Sequence, residues 1–155
     1  MYMSLLHIIL PAKMNNLGNF IQSISGCLKQ QGMAAEQIPR VQLAVEEALV
    51  NIIRYAYEGQ AGDIELRCAI ADEQRLIIEI VDSGAPFDVS TLPKPDIQCS
   101  VKDRKMGGLG VFFIQRMVDE LLYRREGDKN VLTMFIRRKD GRFSRSSSQD
   151  MHAEA

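Results

Sequence analysis

The sequence predicts an α+β domain, a two-layer sandwich in which helices cover one face of a mixed, mostly antiparallel sheet. Three observations predict it. In three separate stretches apolar residues recur at spacings of three and four, the period of a helix with one buried face. In other stretches they alternate or gather with β-branched residues, the period of a strand. The elements follow the order β, α, α, β, β, loop, α, β, β, without the regular alternation of parallel βαβ units.

Residues 4–11 read as an opening strand closed by Pro11. Leu17, Phe20, Ile21, Ile24, Cys27 and Leu28 then mark an amphipathic helix ending near Gly32, with Asn15 or Asn16 as its N-cap. A second helix follows Pro39, carries Val41, Ala44, Val45, Ala48, Leu49, Ile52 and Ile53 on one broad face, and runs to about Tyr57 before Gly59. Residues 63–70 and 75–81, joined by a polar turn, read as a hairpin. Residues 82–107 hold Pro86, Pro93 and Pro95 with little periodicity, and structureless loops longer than ~15 residues in compact domains are usually lids or binding loops. Gly110 opens a third helical run, and residues 122–125 and 130–138 form a closing hairpin around Gly127 and Asp128. The expected organisation is one domain over 1–140 followed by a polar, serine-rich, mobile tail over 141–155.

Composition narrows the function classes. With 46% hydrophobic and 25% charged residues the chain has the balance of a soluble globular domain. Nineteen basic residues against twenty acidic ones give a net charge of −1, so no bulk positive field is available to hold nucleic acid. Apolar runs such as 5–12 and 76–81 fall short of the ~20 residues that span a bilayer. The N-terminus lacks the basic start and cleavage site of a secretory signal. Cys27, Cys68 and Cys99 are odd in number and far apart, which reads as reduced cytosolic thiols rather than a disulfide frame or a metal site. His7 and His152 are too few and too separated for a metal cluster or a triad.

Three segments carry chemistry. Glu47, Asn51 and Tyr55 stand at i, i+4 and i+8 of the second helix, so a carboxylate and an amide can point at one small volume. Such a pair suits a hard cation such as Mg²⁺, which takes oxygen ligands and usually keeps waters and phosphates. Glu46 is a second carboxylate, but it lies about 100° around the helix and is expected to face solvent. In the second segment, residues 80–88, a strand runs into Asp82 and Gly84. The carboxylate can accept a hydrogen bond from an amino group such as adenine N6, and the glycine allows a flat base close to the backbone. The third, residues 105–111 (KMGGLGV), sets glycines before a helix start, where free N–H groups and the helix dipole form an anion site. Its spacing is neither a phosphate-binding Walker loop nor a dinucleotide fingerprint.

In order, AVEEALVNIIRYAY (44–57), IEIVDSGAPFD (78–88) and GGLGVFFIQRMVDELLYRR (107–125), closed by NVLTMFI (130–136), resemble the N, G1 and G2 boxes of the GHKL superfamily with its Bergerat ATP-binding fold. They look most like its anti-sigma-factor serine kinase branch, and the resemblance covers about residues 5–138. It implies ATP and Mg²⁺ as cofactors, with Glu47 as general base for a serine hydroxyl and Asn51 as the Mg²⁺ ligand. It implies Asp82 and Gly84 at the adenine, and Lys105, Gly107, Gly108, Leu109 and Gly110 around the phosphates. Thr133 stands where the family often sets a hydroxyl near the adenine, and Lys102 and Arg104 are further lid cations for the phosphates. The chain departs from the family at Tyr55, where many relatives have histidine, and at Gly107, where arginine or serine is common.

The function the resemblance implies is an ATP-dependent serine kinase in the bacterial cytoplasm, acting as an anti-sigma factor. It would phosphorylate a STAS-type antagonist, sequester a sigma factor and form a homodimer, with no direct nucleic acid or membrane contact. The alternative is a nucleotide-gated binding module without significant phosphoryl transfer, which the presence of both Glu47 and Asn51 disfavours. The ATPase half of a histidine kinase is disfavoured by the chain's length and by the placement of its histidines.

Overall fold

The computed structural model describes residues 2–86 and 108–139. The order of the elements is β1 (Met3–Pro11), α1 (Leu17–Gln30), α2 (Ile38–Asn51), β2 (Asp63–Ile70), β3 (Arg75–Asp82), α3 (Gly108–Met117), β4 (Glu120–Glu126) and β5 (Lys129–Arg137). The strands form one sheet in the order β1-β2-β3-β5-β4. Every pairing among the described residues is antiparallel, in keeping with the mostly antiparallel sheet expected.

The core lies between one face of this sheet and the helices. Phe20, Ile24 and Leu28 of α1 and Val41, Val45 and Leu49 of α2 meet Ile64, Leu66, Leu76, Ile78, Ile80 and Met134, all buried in one cluster with Ile114 of α3. In the strands these core residues fall on alternate positions, because successive side chains point to opposite faces. On β3 that parity carries inward from Leu76 through Ile78 and Ile80 to Asp82. A carboxylate thus ends an otherwise apolar row at the mouth of the sheet.

Local structure departs from the sequence expectation at four points. Asn16 precedes α1 but makes no side-chain cap; its amide donates to Pro11 O at 2.9 Å, tying the helix start to the end of β1. The strand β1 carries an irregularity between Ser4 and Leu6. α2 does not continue unchanged to Tyr57, because Ile52–Ala56 form a wider π-turn. α3 begins at Gly108, so Gly108 and Gly110 lie within its first turn rather than before it. The expected lid residues Lys102, Arg104, Lys105 and Gly107 lie outside the described residues, as does the tail over 141–155. No helix among the described residues is long and apolar enough to cross a membrane.

Candidate functional site

A cavity of about 460 Å³ opens where the C-terminal end of α2, the end of β3 and the start of β5 converge. Its walls combine apolar groups, Ala48, Ile52, Ile114 and Leu132, with Asn51, Asp82 and Asn130, and Tyr55 and Tyr123 lie at its sides. A few convergent polar groups on a largely apolar surface are the usual composition of a small-molecule site.

Glu47 and Asn51 are one turn apart on α2 and both half-buried, so their side chains share a helix face. Asn51 lines the cavity; Glu47 is not part of its wall. Glu46 is half-buried as well, so spacing to Asn51 rather than exposure distinguishes the two carboxylates. The Asn51 amide nitrogen is buried with no hydrogen-bond partner. A buried unpaired N–H is costly, and what it lacks is an acceptor, such as a phosphate oxygen. Among the described residues no group of three or more His, Cys, Asp or Glu could hold a metal alone. The Asn51 carboxamide could offer a cation its oxygen alone, so a cation held there would take its remaining ligands from phosphates and water, the manner of Mg²⁺.

Asp82 is 6% exposed. Its Oδ1 accepts the Gly84 N–H at 2.9 Å and the Asn130 Nδ2–H at 2.9 Å. Asn130 also donates to Ala85 O at 2.9 Å, and its own Oδ1 accepts from the Tyr123 hydroxyl at 2.6 Å and Arg125 Nη1 at 3.0 Å. Arg125 Nη1 donates further to Gly84 O at 2.8 Å, so the closing hairpin grips the turn that follows β3.

The π-turn grips the same turn from the other side. Ala85 N–H donates to Ala56 O at 3.1 Å. A β-carbon on Gly84 would stand 2.4 Å from that carbonyl oxygen and 2.7 Å from its carbon, so only glycine fits. Gly84 thus has a reason within the fold itself: it permits a close approach by the protein's own backbone. Next along the chain, the Tyr57 hydroxyl donates to Asp63 O and accepts Ser83 N–H at 2.9 Å, joining helix end, β2 and β3. The Tyr57 ring lies so close to Gly62 that a β-carbon there would be 2.0 Å from it. Burial pushes the Tyr57 phenol above its ordinary pKa, and the charges of Asp82 and Asp63 add to this against the opposing Ser83 N–H. The phenol therefore keeps its proton and its donor role.

Thr133 is corrected. Glu79 and Thr133 are paired across β3 and β5, and Arg124 approaches both, at 3.3 Å and 3.4 Å. Thr133 is three residues from Asn130, an odd step, so it points to the sheet face opposite the helices and the cavity. The polar residue that meets Asp82 from the closing strand is Asn130. Sequence reasoning passed over Asn130, Tyr123, Arg125 and Tyr57. For Asn130 a signal existed: Leu132, Met134 and Ile136 share its parity and are core residues. Gly108, Leu109 and Gly110 supply the first backbone turn of α3.

The family model described as the histidine kinase-like ATPase domain matches residues 10–136. The chain is 32% identical over 136 residues to the serine-protein kinase RsbW of Listeria monocytogenes, covering 84% of this chain and 86% of the relative. It is 28% identical over 135 residues to the serine-protein kinase RsbW of Bacillus thuringiensis, covering 84% of each chain. In fold it is similar to the crystal structure of the RsbU and RsbW domains of a Mycobacterium tuberculosis protein. That match has a TM-score of 0.62 and 19% identity, over 90% of this chain and 33% of the other. The chain belongs to the histidine kinase-like ATPase family, the GHKL superfamily, in its anti-sigma serine kinase branch.

Proposed function

We propose that this protein transfers the γ-phosphoryl group of ATP to a serine of a STAS-type anti-sigma antagonist, and that it sequesters a sigma factor. In this reading it acts as a homodimer in the bacterial cytoplasm, without direct contact to nucleic acid or membrane. ATP use accords with the family to which the chain belongs. The single observation that carries the rest is one cavity joining Asn51 to Asp82, with Glu47 one helical turn from Asn51.

Each residue has a role that follows from its chemistry. Asp82 accepts the amino group of adenine, while Ile52, Ile114 and Leu132 give the base an apolar bed. Asn51 would hold Mg²⁺, which when bound neutralises charge on the phosphate oxygens. Glu47 takes the proton from the substrate serine as its oxygen attacks, the work of a carboxylate set within reach of the reacting hydroxyl. Gly108, Leu109 and Gly110, in the first turn of α3, present backbone N–H groups to the phosphates. Gly107 and the cations Lys105, Lys102 and Arg104 complete the phosphate end. Positioning and charge supply most of the catalysis of phosphoryl transfer.

The test is a phosphorylation assay with a purified STAS-type antagonist, wild type beside Glu47→Gln. Loss of phosphoryl transfer by at least about a hundredfold with ATP affinity retained supports the kinase reading. A Glu47→Gln protein that phosphorylates as well as wild type would overturn it. A wild type that binds ATP and captures a sigma factor without transferring phosphate would establish the nucleotide-gated module instead.

A further inference from the structure

Asn130 stands directly across the β3–β5 ladder from Asp82, is 5% exposed, and lines the same cavity. Its carboxamide is held at both ends. The oxygen accepts two donors, the Tyr123 hydroxyl and Arg125 Nη1, so the nitrogen and not the oxygen is turned toward Asp82. Asp82 Oδ1 thereby carries two protein donors, the Asn130 amide and the Gly84 N–H. Among the described residues no hydrogen bond reaches Asp82 Oδ2. Among these residues one carboxylate oxygen is thus fixed, and the other is left as an acceptor.

We propose that Asn130 is a positioning residue that sets the base specificity of the site, holding Asp82 so that it selects a purine with an exocyclic amino group at C6. This rests on the reading of the cavity as a nucleotide pocket. The physical reason is the sense of the hydrogen bonds. A carboxylate locked through Oδ1 offers Oδ2 as a pure acceptor in one direction, which an amino group satisfies and a carbonyl at C6 repels. Without the Asn130 amide the carboxylate is free to turn about its terminal torsion, which is broad for aspartate, and its direction toward the base is lost. Tyr123 and Arg125 act one step further out, by fixing which end of the carboxamide faces Asp82.

The experiment is calorimetric titration of the full chain with ATP, GTP and purine riboside 5′-triphosphate, which lacks the amino group. Wild type is expected to bind ATP more tightly than either analogue. In Asn130→Ala, ATP should weaken by about tenfold, while purine riboside triphosphate should change by less than about twofold, so that discrimination collapses. Equal weakening of both nucleotides, or of neither, in folded Asn130→Ala would overturn the inference. Should that variant fail to fold, Tyr123→Phe decides on the same criterion, with an expected loss of about threefold confined to ATP. A wild type that binds none of the three nucleotides, or binds ATP and purine riboside triphosphate alike, overturns the pocket reading itself and this inference with it. A discriminating wild type whose discrimination survives the substitution overturns the inference alone.

Discussion

The carbonyl oxygen of Ala56 lies 2.4 Å from where a β-carbon on Gly84 would stand. A residue of the π-turn therefore sets the limit on what can stand two residues after Asp82.

Gly84→Ala follows directly. The obstructing atoms are backbone, so the Asp82–Ala85 turn must move rather than a side chain. The expected loss is about 1–3 kcal/mol of stability, as for overpacking elsewhere. ATP affinity should fall by about tenfold or more as Asp82 is displaced. Urea unfolding and calorimetric titration measure the two. Unchanged affinity would show that the turn does not control Asp82.

Tyr57→Phe removes one hydroxyl that serves Asp63 O and Ser83 N–H together. We expect a cost of about 1–2 kcal/mol in unfolding free energy. The Kd for ATP should rise severalfold with little change in the phosphoryl-transfer rate at saturating ATP, since the phenol touches no reacting group. A fall in that rate at saturation would assign Tyr57 a role nearer the chemistry.

Thr133→Val tests the correction to the closing strand. The substitution keeps the β-branched shape and loses only the contact to Arg124 on the far face. ATP affinity is expected to stay within about twofold, and stability to fall by about 1 kcal/mol, the worth of one buried hydrogen bond. A larger loss of affinity would return Thr133 to the site.

The far face also carries a pH-dependent contribution. Burial alone would raise the pKa of Glu65, but hydrogen bonds from Arg67 and His7, with their charges, outweigh it and hold the carboxyl below its ordinary range. Because the folded pKa is the lower one, the stabilisation is present above the unfolded value of about 4.3 and is lost as pH falls through the folded value. Thermal melting of wild type and Glu65→Gln should differ at pH 7 and converge toward pH 3. A difference that grows on acidification would contradict the assignment.

Most of the fold was legible in the sequence because burial writes itself as periodicity. The rows Leu76, Ile78, Ile80 and Phe20, Ile24, Leu28 carry the strand and helix periods in full. The three boxes were legible because their spacing is a family pattern. The π-turn was not, since Ile52, Ile53 and Ala56 continue an apolar pattern that a regular helix would share, and one extra residue per turn leaves no compositional trace. Asn130 was legible in principle from the parity of β5, whereas Thr133, set near the adenine by the family pattern, stands on the opposite face. The reason for Gly84 could not be read at all, because its neighbour Ala56 is distant in sequence and joined to it only by the fold.

The Asp82–Asn130 bond joins residues 48 apart in the chain. Its consequence concerns the order of folding. The β2–β3 hairpin can form locally, yet an aspartate at its end has no fixed direction until β5 arrives, and such long-range closure carries an entropic cost before any contact repays it. ATP should therefore act as a brake on unfolding far more than as an accelerator of refolding, because the chain acquires the cavity wall of Asp82 and Asn130 only when the central ladder of the sheet has closed.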